Sequence, residues 1–384
     1  MPEADIDPRL REAMADAARH VALYRRLWPE TGAVAGLHQA RLLDKATLRG
    51  TRIEDRISAA RRARRLTAEL SSGSSGEPET TYSDRTALRA RRLAFLRALL
   101  ACGWRPWQKL LLLTSRRRTR GMPFARWHYA SIGEDTDRLA QVAATLAPQV
   151  LYGPLSTLEL LAGHFRAQRR ALPGLRLIVS TAEQLTPERR RTLEDAFGVP
   201  VADFYGMTEF GLVAYRPPGA GAYTPARDSL LLEFLPLAHD RAVEQLVVSD
   251  LAERTCPLLR YDTGDLVRRD PAQPGRPLVE FAGRAFDCIL LPDGARVSPY
   301  RIDLALESLP GLVAFEVVQQ PDLSLDVTIE AADARAESLR QAVAAKLAAI
   351  FGNAMPFRVA AGAIRRDPRG AKFRPIRSLA GARA

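Results

Sequence analysis

A chain of 384 residues, 47% of them hydrophobic, can bury a full core and divide into domains of unequal size. Its net charge of +12 suits an acidic partner such as a nucleotide, a thioester cofactor or an acidic protein, but no nucleic-acid-binding module accompanies the charge and no nucleic-acid partner is expected. Residues 1–30 are charged throughout and no apolar run approaches the roughly twenty residues of a bilayer span, so neither secretion nor a membrane partner is expected. Cys102, Cys256 and Cys288 form no CxxC pair, which fits a cytoplasmic protein without a zinc knuckle or disulfide framework.

In chain order, an amphipathic helical stretch opens the sequence, LLDKATLR follows at 42–49, and a helix is expected over about 52–69, before the Ser/Gly loop SSGSSGEP at 71–78. A helix from about Asp84 to Cys102 leads into the apolar strand QKLLLLT. Next come a helix near 134–147, the strand QVLY, a helix from Ser156 to about Arg170, and the strand LRLIVS at 175–180. Strands separated by helical crossovers make a mostly parallel sheet covered on both faces, with ligands expected where loops leave the strands' carboxyl ends. After residue 210, short strands separated by Pro and Gly (LLLEFL, EQLVVSD, DLVRR, PLVEFAG) read as a barrel-like β-rich subdomain. From Phe286 onward the alternation of strand, turn, helix, two strands, helix and strand reads as a compact α+β unit. The expected class is therefore α/β, with a large domain over 1–285 and a small C-terminal domain over 286–384.

Several segments carry residue types suited to chemistry. SSGSSGEP offers flexible backbone N–H groups and hydroxyls that can wrap a triphosphate, although a Ser/Gly run is more often a linker. In DFYGMTE, Tyr205 can flank a planar base and Glu209 can hold magnesium. Asp265 in RYDTGDLV is suited to accepting both hydroxyls of a ribose, because an ionised carboxylate has only acceptor sites. Arg284 in GRAFD can meet phosphate or ribose. Only four of the 56 basic residues are lysines, so Lys372 in RRDPRGAKFRP stands out as a compact point charge kept within an arginine-rich segment. The basic run SRRRTR at 115–120, beside Phe124, Trp127, His128 and Tyr129, is a candidate phosphate or partner edge.

Taken in order, SSGSSGEP, TAEQLTPE, DFYGMTE, RYDTGD, GRAFD and GAKFRP resemble the motifs of the adenylate-forming superfamily of acyl-CoA synthetases, luciferases and peptide-synthetase adenylation domains. HVALYRRLW, LLDKATLR, VLYGPLSTLELLA and PLLRYDTGDLV are most similar to phenylacetate-CoA ligases and CapK-type proteins. The resemblance implies that Ser71, Ser72, Gly73, Ser74, Ser75 and Gly76 form the phosphate loop and that Ala182 and Glu183 lie along the adenine. Tyr205 and Gly206 would border the base and acyl pocket, with Thr208 near phosphate and Glu209 on the metal. Asp265 would bind the ribose, assisted by Arg284, and Phe286 would mark the hinge of a mobile lid. Lys372 would bridge the carboxylate and the α-phosphate. The implied reaction is ATP- and Mg²⁺-dependent activation of a carboxylic acid to acyl-AMP, then transfer to coenzyme A, an acidic carrier protein or an amine.

The sequence departs from that pattern at Ser74 and Ser75, where threonines are usual, and at Glu77, where a lysine is common. SRRRTRGMPFARWHYASIGED replaces the segments that shape the phenylacetate pocket, so another acid is admissible. The cysteine cluster usual between RYDTGD and GRAFD is absent, and no zinc is expected. Two further readings are an adenylyltransferase that leaves AMP on its product and a degenerate member that binds nucleotide or a partner without turnover. Glu209, Asp265 and Lys372 argue against the second.

Overall fold

A computed structural model describes residues 7–29, 40–70, 80–115, 126–237, 240–273, 275, 277–306, 309–331, 336–352, 355–364 and 375–380. The largest sheet has seven strands in the spatial order Trp127–Ser131, Leu110–Thr114, Val150–Pro154, Leu177–Thr181, Val201–Met207, Gly211–Arg216 and Thr224–Pro225. The first five are parallel, and each of the last two pairs antiparallel with the strand before it. The unbroken apolar run Leu110–Leu113 reflects burial from both sides, since successive side chains of a strand point to opposite faces. Leu111 and Leu113 join the core made with the helices Thr136–Leu146, Leu155–Ala167 and Pro187–Phe197. Leu110 and Leu112 join the opposite core with Ala98, Leu99 and Trp104, supplied by the helix Arg85–Ala101 and the turn after it.

The helix expected over 52–69 does not form. A short helix Ile53–Arg56, a 3-10 turn Ala59–Arg61 and a strand Thr67–Leu70 take its place, and the strand pairs antiparallel with Thr80–Ser83. Arginines 61, 62, 64 and 65 interrupt any apolar stripe a helix would bury, and the Ser58 amide instead donates to the Thr255 carbonyl at 2.8 Å. The loop expected at 71–78 lies outside the described residues; Leu70 and Thr80, on either side of it, pair in the ladder. The strand Gly211–Arg216, not anticipated, turns back onto the large sheet rather than opening the β-rich part.

A separate four-stranded sheet runs in chain order through Leu230–Leu237, Asp240–Asp250, Tyr261–Arg269 and Leu278–Arg284. It accounts for the β-rich pattern as a four-stranded sheet whose first and last strands are not paired with each other among the described residues. The α+β pattern after residue 286 is realised as a four-stranded sheet ordered Phe357–Ala361, Leu325–Ala331, Leu312–Gln319, Ile376–Ser378, covered by Pro299–Leu306 and Ala336–Phe351. Leu339, Val343, Leu347 and Phe351, four residues apart, place one helical face in that core. Gln319 is fully buried there: its Nε2 donates to the Leu290 carbonyl at 2.7 Å, while its Oε1 accepts from the Leu290 amide at 2.9 Å and the Ser378 hydroxyl at 2.7 Å. By its contacts the chain divides into two compact units, 1–233 with 247–263, and 234–246 with 264–384. The expected boundary at 285/286 falls inside the second unit. Among the described residues no helix is long and apolar enough to cross a membrane.

The first unit is tied together by carboxylates. Asp84 caps Arg85–Ala101 by accepting from the Thr86 and Ala87 amides at 2.7 and 3.0 Å, and its second oxygen accepts from the Thr255 hydroxyl at 2.8 Å. Glu253 reaches back, accepting from the Asp84 amide at 2.7 Å and from the Thr255 and Cys256 amides at 2.8 and 3.0 Å. Replacing Asp84 by alanine removes a cap and strands a buried hydroxyl, so Asp84→Ala is expected to lower unfolding free energy by roughly 2–4 kcal/mol in chemical denaturation.

Candidate active site

The central parallel strands Leu110–Thr114, Val150–Pro154 and Leu177–Thr181 are mostly buried along their length and become more open toward their carboxyl ends. At the end of Leu177–Thr181 the chain enters Ala182 with φ of 72°, a left-handed conformation that costs a residue with a Cβ about 1–2 kcal/mol. Glu183 follows. Its Oε1 accepts from the Ser156 hydroxyl at 2.6 Å and the Ser156 amide at 3.3 Å, and its Oε2 lies 3.4 Å from Arg189. The carboxylate therefore fixes this loop to the start of Leu155–Ala167 and to the helix that follows, leaving the main chain of 182–183 as the portion suited to lie along a planar base.

DFYGM was expected at a strand's end, but it forms the body of Val201–Met207, and Tyr205 and Gly206 are near its carboxyl terminus. Tyr205 is half-buried and the ladder to Gly211–Arg216 shifts register between it and Gly206. A Cβ on Gly206 would stand 2.9 Å from the Gly211 carbonyl oxygen, so the hairpin closes only over glycine. Thr208 is half-buried in the turn, and Glu209 beside it is buried.

The Glu209 carboxylate accepts from the Tyr261 hydroxyl at 3.3 Å, and among the described residues no basic side chain pairs with it. Its carbonyl accepts from Arg91 Nη2 at 2.6 Å. A buried carboxylate served by one neutral donor fits a hard cation, which magnesium-binding sites usually engage through one or two carboxylates together with phosphate oxygens and water. Among the described residues no group of three or more His, Cys, Asp or Glu side chains gathers as a metal cage.

Upstream on Val201–Met207, Asp203 is buried against Tyr223, whose hydroxyl donates to it, and lies 3.7 Å from Arg216. Burial raises its carboxyl to about 6, against the lowering effects of Tyr223, Arg216 and Arg190. The folded chain therefore holds a proton that the unfolded chain releases near 3.8, and stability is expected to fall as pH rises from that value to about 6. In denaturation midpoints measured across that window, Asp203→Asn is expected to flatten the decline.

In the second unit, Asp265 is a buried residue of Tyr261–Arg269, and its cross-strand partner is Arg284. Arg284 Nε stands 3.1 Å from Asp265 Oδ1, beside a register shift between Asp265 and Val267. The two residues singled out for ribose are thus brought together, with the guanidinium orienting the carboxylate. Arg284 also lies over the Phe286 ring, 5.7 Å from its centroid, and Ala285–Asp287 forms a 3-10 turn at the expected hinge.

Ser71, Ser72, Gly73, Ser74, Ser75, Gly76 and Lys372 lie outside the described residues, as do Glu77 and positions 116–120 of the basic run. Arg91 and Tyr261 were not singled out. The signals were present: Ala87, Arg91, Ala94 and Ala98 share one helical stripe, and Tyr261, Thr263 and Asp265 alternate on one buried face of their strand.

The AMP-binding enzyme family matches residues 125–240, which contain Ala182, Glu183, Tyr205, Gly206, Thr208 and Glu209. A phenylacetate-coenzyme A ligase of Thermus thermophilus is 26% identical, over 83% of this chain and 78% of its own length. The phenylacetate-coenzyme A ligase of Pseudomonas putida is 28% identical over 41% of this chain, and the match spans 38% of that ligase. The crystal structure of 2-hydroxyisobutyryl-CoA ligase in its postadenylation state superposes with a TM-score of 0.75 at 20% identity, covering 98% of this chain and 90% of that one.

Proposed function

We propose that this chain, which belongs to the adenylate-forming superfamily, is an acid–thiol ligase that activates a carboxylic acid with ATP and passes the acyl group to coenzyme A. The observation that carries this reading is the Glu209 carboxylate, buried beside the end of a parallel strand without a cationic partner among the described residues, inside the stretch matched to AMP-binding enzymes.

A carboxylate attacks a tetra-anionic nucleotide only if charge is offset and the reactants are held in line. Glu209 would hold magnesium, which when bound neutralises phosphate charge. Amides and hydroxyls of Ser71–Gly76 would wrap the phosphates, Thr208 would donate to a phosphate oxygen, and the 182–183 main chain with Tyr205 would border the base. Asp265 would accept the ribose hydroxyls, held in place by Arg284. Lys372 would stabilise charge developing between the acid's oxygen and the α-phosphorus. The acid's oxygen bonds to the α-phosphorus and pyrophosphate leaves. A thiolate then attacks the acyl carbon and AMP leaves with the bonding electron pair. Residues 286–384 would act as the lid that exchanges these two half-reactions, turning at Phe286. The chain's likeness to two coenzyme A ligases supports that acceptor over a carrier protein or an amine, and the net charge suits its nucleotide. Three buried thiols without disulfides support a reducing, cytoplasmic setting.

The test is carboxylate-dependent exchange of labelled pyrophosphate into ATP over aromatic, aliphatic and hydroxy acids, with and without magnesium. Exchange with one acid class is expected, reduced about a hundredfold or more in Lys372→Ala and in Glu209→Gln. Silence across the panel, with ATP binding undetectable, would sink the ligase reading.

A further inference from the structure

Arg91 lies on the buried stripe of Arg85–Ala101, with only 10% of its side chain exposed. Its Nη2 donates to the Glu209 carbonyl at 2.6 Å and to Asp250 Oδ2 at 3.2 Å. Asp250 is itself fixed, its Oδ1 accepting from the Ala252 and Glu253 amides at 2.9 and 3.1 Å. On its other side, Nη1 lies 4.0 Å from Glu69, in the strand that leads directly into residues 71–76. The aliphatic stem of the same arginine covers Gly211, where an added Cβ would meet its Cβ, Cγ and Cδ at 3.3 Å.

Tyr261 holds the turn from a second direction. Its hydroxyl reaches Glu209 Oε1 at 3.3 Å and its ring packs against Phe210 with centroids 5.7 Å apart. Residues 209, 210 and 211 are therefore gripped in succession by one arginine and one tyrosine. Arg91 does this at a cost: its Nε and Nη1 are buried without a hydrogen bond among the described residues. An arginine serving only as packing would be replaceable by an apolar side chain with a gain in stability.

We propose that Arg91, backed by Asp250 and assisted by Tyr261, is a positioning residue that sets the Glu209 carboxylate for its cation and joins that turn to the stem of the Thr67–Ser83 hairpin. The inference rests on the role of Glu209 given above. Arg91→Lys keeps a positive charge opposite Asp250 but lacks the planar fork needed to hold the Glu209 carbonyl at the same time.

Two measurements on the full chain test this. In ligand-free protein, hydrogen–deuterium exchange of the 207–211 amides is expected to quicken about tenfold in Arg91→Lys, the size of one hydrogen bond to a charged group, while Leu177–Thr181 is unchanged. In pyrophosphate exchange titrated with magnesium, the half-maximal concentration is expected to rise about tenfold, with the wild-type rate regained at high magnesium. A structural role alone would lower the melting temperature and the maximal rate and leave the magnesium midpoint in place. An unchanged midpoint in folded Arg91→Lys, whatever the amide exchange, overturns the proposal. Should Arg91→Lys fail to fold, Tyr261→Phe keeps the ring and is read the same way, with an expected rise of about threefold in midpoint. If wild type exchanges no pyrophosphate with any acid, the ligase reading fails and the inference falls with it; an active wild type with a superposing variant titration refutes the inference alone.

Discussion

A parallel sheet covered by helices on both faces has no room for polar chemistry along its length. Leu110–Leu113, Val150, Leu151, Leu177, Ile178 and Val179 all enter the two cores on either side of the sheet, and the chain opens for ligand chemistry toward the strands' carboxyl ends. This confinement explains why Ala182, Glu183, Tyr205, Gly206, Thr208 and Glu209 occur as two short clusters rather than scattered. It also explains the local conformations there. A left-handed Ala182 and a hairpin closed on Gly206 are tolerable because rigid layers on either side hold them in place.

Apolar patterning made the fold legible to the extent that local period decides structure. LLLLT, VLY and LRLIVS announce strands buried on both faces, and the stripe in Ala336–Phe351 announces a helix with one buried side. Local period failed over 52–69, where tertiary partners decide: Ser58 bonds to Thr255, and Thr67–Leu70 pairs with a strand across residues 71–79. The candidate site shows the same division. Glu209, Asp265 and Arg284 stand in motifs whose order is readable, and the structure adds that Asp265 and Arg284 are cross-strand neighbours. Arg91 sits in RARRLAFLR among arginines that differ from it only in which way the helix turns them.

Long-range carboxylate contacts do much of the assembly in the first unit. The Asp84 amide donates to the Glu253 carboxylate across 169 positions, and Arg91 donates across 159 positions to the Asp250 carboxylate and across 118 to the Glu209 main-chain carbonyl. Such contacts are costly to bury and unforgiving of loss, because each leaves a charge or donor without a partner when broken. Segment 250–256 is thus a keel: its amides fix its own acids, and Asp250, Glu253 and the Thr255 hydroxyl in turn hold Arg91 and the capping Asp84 of the helix Arg85–Ala101.

Gln319 ties the strand Ile376–Ser378 to the stretch around Leu290. One amide side chain bonds to Leu290, near the start of that segment, and to Ser378, near its close. Loss of Ile376–Ser378 would remove an edge strand and also the Ser378 hydroxyl that donates to this glutamine. Leu290 and the strand Ile376–Ser378 are thus joined through one side chain, and loss of that strand is felt at Leu290 as well.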